Sequence, residues 1–153
     1  MKKTTILFLS AVVMLMLAAC NGASFKKTKT GLMYKIISNG KGDVVKNGQF
    51  LKIEFSQKLR DSVLGSSADR GPEYVKIDSA SPSNYLNPAE LFGKMRKGDS
   101  LVVVFEADSI RKIQGGLPPF LKAKDKIFLT VKALDIFKTE EEANKDRELA
   151  MVE

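Results

Sequence analysis

Hydrophobic and polar residues alternate strictly over residues 51–59. The apolar side chains and Gln57 fall on one face of an extended chain, and lysine, glutamate and serine fall on the other. A period of two is typical of a half-buried strand in an antiparallel sheet. A second long strand is predicted over residues 127–137, where Ile127, Leu129 and Val131 share a face.

Shorter apolar runs predict further strands at residues 33–37, 73–78 and 101–106. Asn87, Pro88 and Glu90 provide a cap, a proline in the first turn and an early acid, so a helix is expected to begin there. The helix should end near Gly98 after two or three turns, and it is the only helix expected inside the domain. Residues 101–106 should lead into a loop that contains Gly115.

This order of elements predicts an α+β fold, with a curved antiparallel sheet of about five strands wrapped on one short helix. The domain is expected to span residues 31–137. Residues 138–153 begin with a threonine and three acids, which predicts a charged C-terminal helix. Its polarity indicates a solvated appendage rather than a part of the core.

The N-terminus has the pattern of an export signal. Lys2 and Lys3 precede an apolar run over residues 6–16, which is shorter than the roughly 20 residues of a membrane-spanning helix. Leu-Ala-Ala-Cys at residues 17–20 resembles the lipobox of bacterial lipoproteins. We therefore expect a signal peptide at 1–19, a lipid on Cys20, a tether over residues 20–30, and a lipid-anchored protein of the cell envelope that faces the periplasm or exterior. The alternatives are an ordinary cleaved signal with a chance cysteine, or a short buried helix.

The basic charge lies at the N-terminal end of the chain. The sequence has 25 Lys and Arg against 18 Asp and Glu, but seven of the lysines precede the first acid, Asp43. The later residues are balanced, so no nucleic-acid partner is expected for this exported chain. Five of the seven lysines follow Cys20, where they are either attracted to an anionic membrane or part of a solvated linker.

The composition excludes several kinds of catalytic site. The chain has no histidine and no tryptophan, and its one cysteine, Cys20, is assigned to the lipid. Serine–histidine–aspartate triads, cysteine–histidine pairs and zinc sites built from His or Cys are therefore excluded. No metal or cofactor is expected. The function must depend on shape, apolar contact, carboxylates, hydroxyls or amides.

Several short motifs occur in an order that resembles one family. They are TGLMYKII at 30–37, GKG at 40–42, KNG at 46–48, the strand that ends at Phe55, GKMRKGD at 93–99, LPP at 117–119 and VKALDI at 131–136. In this order they resemble the FKBP-type peptidyl-prolyl cis-trans isomerases, in particular the lipoprotein members of the bacterial envelope. The resemblance implies an isomerase that acts on proline-containing polypeptides and assists the folding of exported proteins. A monomer with weak activity is expected.

The resemblance also implies a pocket for the proline ring. Phe55 stands where the family usually has tyrosine, Leu64 and Gly65 where it has phenylalanine and then aspartate, and Leu129 where it has the phenylalanine of the last strand. Tyr74 takes the place of an aromatic wall residue. The expected substrate pocket is therefore Phe55, Leu64, Tyr74 and Leu129.

The departures from the family pattern leave two other functions open. Gly65 replaces the aspartate, and Arg111 or a neighbour takes the position of the flap tyrosine, so polar groups that would hold the substrate carbonyl are missing. One alternative is a catalytically silent binding or chaperone module with the same fold. Another is a structural lipoprotein of the envelope. Periodicity alone favours an ordinary core for the four pocket residues, and it is the resemblance that points to a pocket.

Overall fold

The computed structural model describes residues 24–78 and 86–150. The predicted signal peptide and Cys20 lie outside the described residues, as do positions 79–85. Seven strands form one antiparallel sheet in the described part. They are β1 (Lys26–Lys27), β2 (Met33–Ile37), β3 (Phe50–Leu59), β4 (Ser62–Ser66), β5 (Glu73–Lys76), β6 (Ser100–Glu106) and β7 (Lys126–Phe137).

The two long strands that alternation predicts lie side by side in the middle of the sheet. The strand order is β1-β2-β6-β7-β3-β4, and β5 also pairs with β3. β3 pairs with β7 along its whole length, from Phe50 opposite Phe137 to Leu59 opposite Ile127. On its other side β3 pairs with β4 at one end and with β5 at the other.

One face of the sheet carries the core. Residues directly opposite each other on paired strands point to the same face. Ile53 is opposite Ala133, and Leu101 is opposite Val131, and all four are buried. We call this side the core face and the opposite side, which carries Lys58 and Phe128, the outer face.

The helical segments differ from the sequence prediction. The predicted helix is a 3₁₀ helix, Pro88–Lys94, whose first turn is capped by Asn87 and which buries Leu91 and Phe92 in the core. The expectation of only one helix inside the domain was wrong, because α1 (Ala107–Gln114) follows β6 directly. A C-terminal helix, α2 (Glu140–Ala150), is present as expected. The α+β class is confirmed, with a larger sheet than expected.

A buried carboxylate ties together the turns at one end of the sheet. Asp99 is almost fully buried and accepts hydrogen bonds from the Ser38 hydroxyl at 3.0 Å, the Gly40 N–H at 2.9 Å and the Arg96 N–H at 2.9 Å. These bonds offset the cost of burying a polar group. They fix the turn before β6 against the turn after β2.

Among residues 24–78 and 86–150, no helix is both long enough and apolar enough to cross a membrane.

Candidate functional site

A cavity lined mainly by hydrophobic residues opens on the core face beside α1. Its volume is about 240 Å³, and β3, β6, β7 and α1 all contribute to its wall. Phe105 on β6 is directly opposite Ile127 on β7. α1 begins two residues after Phe105, at Ala107. The lining residues are Gln57, Leu86, Phe105, Ile110, Ile113, Gln114 and Ile127.

The cavity has no ionisable side chain in its lining. Its polar groups are the two amides of Gln57 and Gln114, each of which offers N–H donors and a carbonyl acceptor. The volume is below the usual range of about 300 to 1,000 Å³ for sites that hold drug-sized ligands. The cavity therefore suits one small apolar group, with two amides in its wall that can form hydrogen bonds.

Gln57 lines the cavity, although the motifs that resemble the family do not point to it. It lies on the core face directly opposite Leu129 on β7 and Gly65 on β4. The sequence did contain a signal for it, because Gln57 is the one polar residue on the apolar face of the alternating segment. A lone amide on a buried strand face is an unusual choice for a packing role.

Phe55 is half-buried on the same face and its backbone is held by two serines. The Phe55 N–H donates to Ser67 Oγ at 2.9 Å, and the Ser67 N–H donates back to the Phe55 carbonyl at 3.0 Å. The Ser66 hydroxyl also donates to that carbonyl at 3.3 Å. Phe55 borders a second, open groove of about 480 Å³, in which Ser66, Thr130 and Lys132 also take part.

Leu129 also lies on the core face, between Gln57 on β3 and Val103 on β6. It is half-buried and packs against the main core cluster, as does Phe55. The structure thus brings two of the four predicted pocket residues, Phe55 and Leu129, to one face of the sheet next to the cavity. Neither is among the residues that line it.

Leu64 lies at an irregularity in β4. Gln57 is opposite Gly65 while Lys58 is opposite Val63, so Leu64 is the extra residue of a β-bulge. Its side chain is exposed. A Cβ added to Gly65 would lie 3.9 Å from Phe55 Cε2, which is ordinary contact, so the position that carries aspartate in the family points toward Phe55.

Tyr74 does not reach the cavity, because it lies on the outer face. It is opposite Lys52 on β3, whereas its neighbour Glu73 is opposite Ile53 on the core face. A shift of one residue moves a strand side chain to the other face. In the short β5 strand the motif order did not determine which of the two residues faces the core.

On the outer face Tyr74 forms part of a cluster with α2. Its hydroxyl donates to Asp146, its ring lies 6.0 Å from that of Phe137, and the Arg147 guanidinium lies 4.7 Å above it. Lys52 Nζ is 2.6 Å from the same Asp146 carboxylate. The C-terminal helix, expected to be a solvated appendage, is therefore docked on the sheet, with Ala143 fully buried.

The cluster shifts the titration of its members. Hydrogen bonds from Lys52 and Tyr74 hold the pKa of Asp146 below its ordinary value. The hydrogen bond to Asp146 raises the pKa of Lys52, and burial raises the pKa of Tyr74. With these shifts Asp146 and Lys52 stay charged, and Tyr74 stays neutral, over a wider pH range than the free side chains.

Arg111, which the resemblance places at or next to the flap tyrosine's position, lies on α1. It is exposed and its guanidinium pairs with Asp108 at 3.0 Å, one turn earlier on the same helix. The residues of α1 that do line the cavity are Ile110, Ile113 and Gln114. Within the described ranges, no group of three or more acidic side chains is placed to hold a metal ion.

Comparison with known proteins gives matches in sequence and in fold. No family model matches the chain. A stretch of 59 residues is 45% identical to a protein of Haemophilus influenzae described as a probable FKBP-type peptidyl-prolyl cis-trans isomerase. The stretch covers 37% of this chain and only 24% of that relative, so the two proteins share about a quarter of the relative's length.

Two solved structures share the fold. The crystal structure of FkpA from Escherichia coli matches with a TM-score of 0.53 and 20% identity, over 80% of this chain and 55% of that chain. A peptidyl-prolyl cis-trans isomerase from Pseudomonas syringae pv. tomato matches with a TM-score of 0.51 and 14% identity, over 84% and 92% of the two chains. The sequence match and the shared fold together confirm that this chain resembles the FKBP-type peptidyl-prolyl cis-trans isomerases.

Proposed function

We propose that the protein is a peptidyl-prolyl cis-trans isomerase that assists the folding of exported proteins, with weak activity. The observation that carries the proposal is the cavity, lined mainly by hydrophobic residues and by Gln57, on the core face of an FKBP-type fold. Uncatalysed isomerisation takes tens of seconds or longer, which is slow enough to limit folding. Proline-containing polypeptides are the proposed substrates.

The cavity supplies what this reaction needs. Rotation about the Xaa-Pro bond has a barrier of roughly 18 to 20 kcal/mol and requires no acid, base or nucleophile. A site accelerates it by binding the twisted amide more tightly than either planar form. Ile110, Ile113 and Phe105 would enclose the proline ring, and the Gln57 amide would donate to the adjacent carbonyl.

The proposal is tested by measuring cis-to-trans rates on a panel of Xaa-Pro peptides and on a protein whose refolding is limited by proline. We expect the chain from Asn21 onward to accelerate both reactions at micromolar concentration. Ile113→Asp, at a partly exposed position of the cavity wall, should reduce the rate, because it places a charge where the ring would bind. Phe120→Asp is the matched control, since Phe120 is exposed and does not line the cavity. A folded protein that accelerates neither reaction would overturn the proposal.

A second function is a binding module without turnover. Its support is Gly65, which leaves no carboxylate beside Phe55. In that case the protein would suppress aggregation of an unfolded client at micromolar concentration, with no change in the proline-limited refolding rate. Loss of that suppression in Ile113→Asp, but not in Phe120→Asp, would place the client at the cavity.

We also propose that the protein is exported and carries a lipid on Cys20. The support is the order of basic, apolar and small residues before this cysteine. Labelling with radioactive palmitate in a bacterial host should give a labelled band that is lost in Cys20→Ser. In cell fractionation, the unaltered protein should be found in the membrane fraction. The Cys20→Ser protein should be found in the soluble fraction or remain as an unprocessed precursor. A labelled Cys20→Ser protein would overturn the assignment.

A further inference from the structure

The half of the outer face that lies away from α2 combines lysines with exposed hydrophobic side chains. Directly opposite residues form one row across this half of the sheet: Lys27, Met33, Val104, Phe128, Lys58 and Val63. Val104 is buried and Met33 is half-buried, so Phe128 and Val63 are the exposed hydrophobic side chains of the row. Phe128, in the middle of the row, is 42% exposed. An exposed aromatic side chain between lysines is a feature of interaction surfaces.

The rows on either side continue the pattern. Lys35, Lys126 and Lys132 lie on the same outer face, and their acidic neighbours there are Glu54, opposite Lys132, and Glu106, opposite Lys126. Phe25, just before β1, is 43% exposed and lies 5.0 Å below the Lys35 ammonium. Ile37, at the end of β2, is also exposed. Five lysines against two acids give this face a net positive charge.

We propose that this face rests on a membrane surface that contains anionic lipid. The lysines would lie among the headgroups, each contributing about 1 kcal/mol near such a surface, while Phe25 and Phe128 would enter the boundary with the acyl chains. Long lysine side chains can cover apolar surface with their methylene stems and keep the ammonium in the polar layer. The face is thus complementary to a lipid surface in both charge and apolarity.

The short segment between Cys20 and the sheet favours a membrane over another kind of partner. Only five peptide units separate Cys20 from Phe25, which is already attached to the sheet through its contact with Lys35. Five extended residues span at most about 18 Å. This step rests on the lipid proposed for Cys20, which would hold the β1 edge of the sheet within that distance of the bilayer.

The orientation also leaves the proposed site open. The cavity with Gln57 and Ile113 lies on the core face, on the opposite side of the sheet from Phe128. With the outer face on the membrane, the cavity would face the polypeptides in the aqueous compartment.

Vesicle co-sedimentation tests the proposal without the lipid anchor. The chain from Asn21 onward retains all strands and helices described above, and it should bind phosphatidylcholine vesicles that contain phosphatidylglycerol, but not pure phosphatidylcholine. Binding should weaken as salt increases, because the attraction is screened. Lys58→Gln should lower the affinity about fivefold, and Phe128→Ser should lower it further.

Matched variants on other surfaces provide the controls. Lys112→Gln on α1 and Phe120→Ser in the following loop change exposed residues of the same types outside this face, and they should bind vesicles like the unaltered chain. Equal binding to neutral and anionic vesicles would overturn the proposal. It would also be overturned if Lys58→Gln and Phe128→Ser both bound anionic vesicles as tightly as the unaltered chain. A loss of client binding in these variants with unchanged vesicle binding would overturn it too, and would identify a polypeptide surface instead. Because the chain used carries no lipid, a failure of the Cys20 assignment or of isomerase activity would not change the result.

Discussion

The buried Ser67 is hydrogen-bonded to the backbone of Phe55 in both directions. Ser67 Oγ accepts from the Phe55 N–H at 2.9 Å, and the Ser67 N–H donates to the Phe55 carbonyl at 3.0 Å. The pair holds β3 against the chain that leaves β4, beyond the last ladder pair at Ser56 and Ser66. Phe55, and with it the core face near the cavity, is therefore positioned by a side chain from a loop.

Ser67→Ala removes the hydroxyl oxygen that accepts a hydrogen bond from the Phe55 N–H, so this N–H loses its partner. A buried donor that loses its partner costs about 1 to 3 kcal/mol, so we expect the free energy of unfolding in urea to fall by about that amount. Ser62→Ala, at an exposed position of β4, is the control and should change it by less than about 0.5 kcal/mol. If both substitutions lowered the free energy of unfolding equally, the hydrogen bond between Ser67 and Phe55 would make no specific contribution to stability.

Gly40 is required by close packing rather than by its backbone conformation. A Cβ at this position would lie 2.4 Å from the Lys97 carbonyl oxygen and 2.7 Å from Asp99 Oδ1. Gly40→Ala should therefore displace the buried Asp99 from its hydrogen bonds and lower the free energy of unfolding by about 2 kcal/mol or more. Gly116→Ala, with no atom within 4 Å of the added Cβ, should leave stability unchanged in the same denaturant titration. A stable Gly40→Ala protein would contradict the tight fit.

The strands that alternation predicts are present, because a period of two records burial on one face and needs no knowledge of the partner strand. α1 was missed for a local reason. Its N-cap Glu106 makes no side-chain capping bond, and the helix follows β6 without a break, so the sequence has no start signal at that point. The stop signal was visible, since Gly115 adopts the left-handed conformation that ends the helix.

The site was less predictable than the strands. Phe55 and Leu129 face the core as expected, because they belong to the long alternating strands. The cavity wall depends on Ile110 and Ile113, which reach β3 and β7 only because α1 exists. The resemblance predicts Tyr74 in the pocket, but its side chain lies on the outer face, because in a four-residue strand the pairing with β3 decides the face.

Gly65→Asp tests whether the missing carboxylate limits activity. The position has room, since a Cβ there would meet only Phe55 Cε2 at 3.9 Å, and the backbone is that of a strand. We expect a folded protein whose kcat/KM on Xaa-Pro peptides is raised about tenfold, because one charge-assisted hydrogen bond contributes about 1.5 kcal/mol. Gly65→Ala is the control that separates the effect of the added carboxylate from the effect of losing glycine. An aspartate variant that is folded and no more active than the alanine variant would contradict this prediction.

Asp146 should make the docking of α2 dependent on pH. Its pKa is held below the ordinary 3.8 by hydrogen bonds from Lys52 and Tyr74, so its contribution to stability is present above that value and is lost as the pH falls through the lowered one. Asp146→Asn should reduce the free energy of unfolding at pH 7 by about 1 kcal/mol, since the pair is partly exposed.

The difference between Asp146→Asn and the unaltered chain should begin to shrink near pH 4, where the carboxylate of the unfolded chain takes up a proton, and should be lost below the lowered pKa of the folded protein. Denaturant titrations of both proteins from pH 7 to pH 2.5 measure this difference. Asp108→Asn, which removes an exposed pair with Arg111 on α1, is the control and should show a smaller difference at pH 7. A difference that persists unchanged at pH 2.5 would show that Asp146 supports α2 through packing and not through its charge.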